Sequence, residues 1–247
     1  MKEKQINNEK LSFLEHLEEL RFRLIRCLVA ILISFSLCSI FAKNIFAFLA
    51  KPIKAVLPPN SSLIFTSPTE ALVIYLKSAL IASLFVASPF VLYQLWKFIS
   101  PGLYDSEKKY VIPFVVTSSI LFIGGALFGY FFVFPPAFKF LLTNFASDLI
   151  RPLPSMKEYF SLATKLLLAF GLIFETPVFF FFLSKIGLVN YRMLLKFQKY
   201  AIVLAFFLGA ILTPGPDVFS QFLMAIPLLI LYEASIFITW LFGKKEN

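Results

Sequence analysis

From Val218 to Phe242 the chain carries a single charged side chain, Glu233. As a helix rising about 1.5 Å per residue this run is about 37 Å long, more than the roughly 30 Å of a bilayer's hydrocarbon core. Five further apolar runs precede it, at 22–42, 71–96, 111–134, 166–183 and 200–212. With 59% hydrophobic residues, 33 of them phenylalanine, and a mean hydropathy of +0.84, the chain has far more apolar surface than one water-soluble core hides. Only helices satisfy every backbone group inside a segment that lipid surrounds, so the expected fold is all-α with six transmembrane helices. The fifth run is the shortest. Its 13 residues rise only about 20 Å, which calls for snorkelling by Gln198 and Lys199 or for a thinned bilayer.

Residues 1–23 mix acids with bases and offer no small-residue cleavage site, so no signal peptide is expected. Orientation follows from the basic residues. Fifteen of the 23 lysines and arginines fall in segments on one side and seven on the other, with Lys77 inside the second run. Basic loops stay cytoplasmic, which places both termini inside. The net charge of +9 is spread over several loops, without the basic stripe and interleaved aromatics of a nucleic-acid binder. The halves of the chain do not repeat each other in proline or glycine placement, so residues 1–247 are read as one polytopic membrane domain. Cys27 and Cys38 lie about 16 Å apart along the first span, too far for a disulfide with each other.

The segment "LSFLEHLEELRFRL", residues 11–24, opens with Ser12 and Glu15 at capping-box spacing, then sets Leu14, Leu17, Leu20 and Leu24 near one helix face. A short amphipathic helix on the cytoplasmic surface is expected, running into the first span. Its polar side holds Glu15, Glu18, Glu19, Arg21 and Arg23, with Glu19 and Arg23 an i,i+4 pair. After the second run, Pro101-Gly102 ends a helix, and Glu107 sits where the next helix begins and its dipole favours an anion. Glu175 lies in the middle of the fourth run, about 13 Å from either end, with no lysine or arginine within two turns. An acid at that depth faces protein, a wet cavity or another helix. Gln221 and Thr213 are candidate hydrogen-bond donors to it.

Four stretches, "HLEELRFRL" (16–24), "LYQLWKFISPGLYDSEKK" (92–109), "FGLIFETP" (170–177) and "LTPGPDVFSQFLMAIPLLILYE" (212–233), resemble the TatC family, the polytopic receptor subunit of the twin-arginine protein translocase. Their order and spacing match the family, and with the six runs they cover most of the chain. One departure is visible: 213–217 read Thr-Pro-Gly-Pro-Asp where the family commonly has Thr-Pro-Pro-Asp, so Gly215 lengthens that turn.

The resemblance implies a receptor in the bacterial inner membrane that recognises paired arginines of a signal peptide on the cytoplasmic side. It moves folded cargo outward with single-span partner subunits, driven by proton-motive force and without a cofactor, in a larger complex holding several copies of the chain. Motif by motif it assigns the arginine-reading carboxylates to Glu19 and Glu107, with Arg21 in the same cluster. A guanidinium presents a planar fork that a carboxylate accepts bidentately, and two forks call for two acids. Phe98 and Trp96 stand one or two turns before the loop and are candidates to line a surface for the apolar part of the peptide. The resemblance also places Glu175, with Gln221 and Thr213, in an intramembrane polar patch that meets partner helices.

The competing reading is a proton-coupled transporter or channel with Glu175 and Glu233 as relay sites. It lacks enough ionisable residues inside the spans for a continuous path. An enzyme is disfavoured: the one histidine, His16, has no second histidine near it, "HLEEL" is not a zinc motif, and no nucleophile pairs with a base inside a span. A surface role suits His16 best.

Overall fold

The computed structural model describes residues 2–57, 62–99, 111–143, 153–213 and 217–243; the side chains of 2–14, 111 and 143 also lie outside the description. Six helical stretches are long and apolar enough to cross a membrane: Glu15–Ile40, Glu70–Ile99, Ile112–Leu142, Met156–Lys185, Tyr191–Leu212 and Val218–Phe242. The first is part of α1 (Lys2–Ile40), a continuous helix, so the helix does not begin at Ser12 as the capping-box spacing suggests. The short helices α2 (Ala42–Leu49) and α3 (Lys51–Lys54) follow, then α4 (Glu70–Ile99) returns along α1. We call the face of the bundle where α1 enters and α4 ends the amino face, and its opposite the far face.

The third span is made of α5 (Val111–Phe128), a π-helical turn (Gly129–Val133) and α6 (Phe134–Thr143). Pro135 and Pro136 have no N–H for the carbonyls one turn back, and the wider turn just before them absorbs that mismatch. Tyr130, on this turn, donates its hydroxyl to the Phe48 carbonyl at 2.5 Å, and Tyr159 donates to the carbonyl of Leu49. These carbonyls end α2, where no further helical turn donates to them, so two tyrosines pin the α2–α3 hairpin to the far face.

The fourth span is α7 (Met156–Phe174) joined to α8 (Thr176–Lys185) at Glu175. It begins ten residues before the apolar run, because its first turns lie against protein: Tyr159, Phe160 and Ala163 are buried. Pro177 cannot donate to the carbonyl of Ile173, and the Thr176 hydroxyl takes that acceptor at 2.6 Å. Proline thus breaks the helix and threonine heals the break, leaving Glu175 at the kink. Spans three and four approach closely there. A Cβ on Gly125 would sit 2.5 Å from the Phe170 carbonyl oxygen, and one on Gly171 would sit 2.9 Å from the Phe122 ring. Lipid tails are as apolar as the side chains, so no hydrophobic force drives the helices together, and such small-residue contacts hold them by close packing.

The fifth span is α9 (Tyr191–Leu212), capped by Asn190 Oδ1, which accepts from the Met193 N–H at 2.7 Å. It has 22 residues and rises about 33 Å, so no thinning is needed to span. The polar start "YRMLLKFQK" had hidden nine helical residues. The sixth, α10 (Val218–Phe242), has the bounds of its apolar run and packs along α9; Gln198 Nε2 donates to Glu233 Oε1 at 2.5 Å between them. At the far face Glu70 ties the loop before α4 to the first turn of α7: it accepts from the Thr66 N–H at 2.8 Å and the Lys157 N–H at 3.0 Å, beside a parallel bridge between Ile64 and Ser155.

Candidate functional site

Two polar clusters interrupt this apolar bundle. The first lies at the amino face, where α1 and α4 meet. Arg23 is 8% exposed although it lies only seven residues past His16 on a helix whose neighbours are open. A buried guanidinium requires partners, and it has two. Its Nε donates to Glu19 Oε1 at 2.9 Å with Nη2 on the same oxygen, while Nη1 donates to Gln94 Oε1 at 3.1 Å. The i,i+4 pair read from the sequence is therefore one arm of a three-residue network. Gln94 was not anticipated; a lone amide inside an apolar run was the available signal.

This network leaves one carboxylate oxygen of Glu19 unclaimed by Arg23. Glu19 Oε2 faces His16 Nδ1 at 3.7 Å. His16 in turn lies flat on Phe98, the ring centres 4.4 Å apart and the planes 13° from parallel. The histidine thus joins the first span to the second, on a side chain that stays about half exposed. Arg21 is exposed, outside this network. Glu107 lies outside the described residues.

Trp96 does not share that open surface. It is 6% exposed, stacked on Phe114 at 4.8 Å and edge-on to Phe182 at 5.0 Å. Its indole N–H donates to Ser118 Oγ at 3.2 Å. Ser118, fully buried in α5, is also the side-chain hydrogen-bond partner of Glu175. The second cluster is therefore Trp96–Ser118–Glu175, running inward from the amino face through three spans.

Glu175 Oε1 is buried with no hydrogen-bond partner among the described residues. The residue borders a crevice of about 450 Å³ between spans four, five and six, walled by Phe179, Leu204, Leu208, Leu228 and Tyr232. Neither expected donor reaches it. Gln221 Nε2 donates to the Phe206 carbonyl at 3.0 Å and the Thr213 hydroxyl to the Ala210 carbonyl at 3.1 Å. Gln221 stands two turns from Leu228, about 10 Å along α10, and Thr213 a turn and more beyond Leu208, so both lie nearer the far face. The structure does not bring Glu175, Gln221 and Thr213 into one patch. Ser118 was missed because a serine in an apolar helix most often bonds its own backbone, as Ser119 does to the Val115 carbonyl at 2.7 Å.

Among the described residues no group of three histidine, cysteine or acidic side chains is arranged to hold a metal. Six membrane-crossing helices, a charged network at one face and a half-buried acid at a proline kink define a polytopic α-helical membrane protein with polar sites at and within the bilayer.

The comparisons give the family. Residues 15–227 match the model for TatC, the Sec-independent protein translocase protein. The chain is 46% identical over 239 residues to the Sec-independent protein translocase protein TatC of Desulforapulum autotrophicum, covering 97% of this chain and 88% of that one. It is 47% identical over 234 residues to the TatC of Aquifex aeolicus, covering 94% and 96%. Two crystal structures of the twin-arginine translocase receptor TatC superpose with TM-scores of 0.79 and 0.82, at 48% and 47% identity; each covers 91% of this chain, and the chain covers 97% and 99% of them. The chain belongs to the TatC family.

Proposed function

We propose that this protein is the signal-peptide receptor and core subunit of a twin-arginine translocase, a component of the machinery that moves folded proteins across the bacterial inner membrane. Membership of the TatC family supports the translocase role and weighs against the transporter reading. The receptor works with single-span partner subunits in an assembly of several copies, and proton-motive force drives the transport. Both termini, and the amino face with them, are cytoplasmic; the excess of lysine and arginine on that side supports this orientation.

At that face Glu19 and Glu107 are the acids that receive the two guanidinium groups. The observation that carries this reading is the state of Glu19: Arg23, itself held by Gln94, occupies Oε1 and orients the carboxylate, while Oε2 is unclaimed by Arg23. A carboxylate fixed on one oxygen gives the other to an incoming N–H at little further loss of side-chain freedom. Phe98 with His16 stacked on it supplies a flat aromatic surface beside the acid, suited to a guanidinium plane. Arg21 adds positive charge to the rim. Trp96 supports the site from beneath through its packing. Glu175, kept off the lipid by Ser118 and the crevice wall, is the intramembrane polar contact for a partner helix, and Gln221 and Thr213 form a second one nearer the far face.

Capture by a twin-arginine signal peptide tests the reading. The full-length protein in detergent is retained on an immobilised Arg-Arg peptide and lost on its Lys-Lys counterpart, because lysine cannot present a bidentate fork. Equal retention on both would dismiss arginine reading at this face.

A further inference from the structure

We propose that a second site, at the far face between spans three, four and five, binds the headgroup of an anionic phospholipid. A crevice of about 590 Å³ opens there beside the first three turns of α7. Its α7 wall is a stripe at helical spacing, Glu158, Ser161, Leu162 and Lys165, with Lys157 at the rim. The opposite wall is apolar, with Phe138 and Leu142 from α6 and Leu212 from α9. Polar residues on one side and hydrocarbon on the other match a molecule that is itself divided in this way.

Lys165 carries the argument. It lies on a 30-residue span that is about 45 Å long, some 15 Å more than the hydrocarbon core. If that excess is shared between the two faces, the hydrocarbon begins about five residues in, and the Lys165 backbone stands about 6 Å below its boundary. A lysine at that depth is tolerated when its stem runs along apolar surface and its ammonium reaches the level of the lipid phosphates. Among the described residues neither Lys165 nor Lys157 has an acidic partner within ion-pair distance. Two lysines and Glu158 give the crevice a net charge of +1, which complements a headgroup of net charge −1 better than a zwitterionic one. A phosphate between the two ammonium groups leaves the headgroup hydroxyls to Glu158 and Ser161, and the acyl chains to the apolar wall. The chemistry does not depend on the orientation proposed above; orientation only names the leaflet as the outer one.

Native mass spectrometry of the purified full-length protein tests this, after incubation with equal amounts of phosphatidylglycerol and phosphatidylcholine. The expected result is selective retention of one phosphatidylglycerol. Combined Lys157→Gln and Lys165→Gln lower that retention roughly 30-fold, each alone roughly fivefold, and Lys165→Arg keeps it. Lys77→Gln removes an exposed lysine from span two, away from the crevice, and leaves retention unchanged. Excess inorganic phosphate does not displace the lipid. The proposal is overturned if both lipids are retained equally, if the double variant keeps phosphatidylglycerol, if Lys77→Gln loses as much, or if free phosphate competes. Helicity and elution volume of the double variant in detergent match the parent, since both lysines are exposed and unpaired; a misfolded double variant would itself count against a site at the surface.

Discussion

Arg23 Nη1 donates to Gln94 Oε1 at 3.1 Å across the seam between α1 and α4, so the buried guanidinium that orients Glu19 is itself held by the second span. The acid at the amino face is therefore set by two helices. Gln94→Leu leaves an N–H of a buried cation without an acceptor, which destabilises the protein by about 1–3 kcal/mol. Thermal unfolding in detergent should show a lowered midpoint, and crosslinking to an Arg-Arg peptide should weaken with it. An unchanged midpoint would mean that Arg23 finds another acceptor.

Glu19→Gln keeps an oxygen for Arg23 but removes the charge proposed to receive an incoming guanidinium. Peptide crosslinking should fall by the worth of one charge-assisted pair, about 1.5–3 kcal/mol, while the protein still folds and inserts. Glu107→Gln should do the same, and the double variant should lose recognition altogether. Wild-type crosslinking in the double variant would clear both residues of the role.

Ser118 accepts from Trp96 and partners Glu175, so Ser118→Ala orphans a buried indole N–H and the acid together. The expected loss is about 1–3 kcal/mol of stability. The chain has two tryptophans, and Trp240 is exposed; in a Trp240→Phe background the emission of Trp96 alone should shift on loss of its hydrogen bond. An identical spectrum would show that the indole is indifferent to Ser118.

Glu175→Gln preserves shape and hydrogen bonding and should retain much of the export, whereas Glu175→Leu inserts more easily in lipid and should export poorly. Both should accumulate normally and still bind signal peptide, since the Glu19–Arg23–Gln94 network shares no residue with the kink. If the leucine variant exports like the parent, Glu175 is only a tolerated polar residue.

Topology has a direct check. A reporter active only in the cytoplasm should work when fused after Asn247 and stay silent when inserted near Asn60. Activity at both positions would overturn the assignment.

Run length and composition determined six helices in lipid, because a segment that crosses hydrocarbon needs about twenty apolar residues whatever it packs against. The sixth helix kept the bounds of its run for that reason. Glu175 was legible too, as a charge in a place where water does not reach cheaply, and Glu19 as the i,i+4 partner of Arg23. What only the tertiary structure decided is which atoms answer those charges. Helix starts at Met156 and Tyr191 were hidden because their first turns are polar, or are buried against protein instead of lipid, and hydropathy does not register either case. Gln94 and Ser118 became partners of Arg23 and Glu175 through the packing of spans far apart in sequence. Gln221 and Thr213 turned to backbone carbonyls on α9 because those acceptors lay within reach and Glu175 did not. A hydrogen bond extends about 3 Å, and no spacing along a chain specifies distances of that size between separate helices.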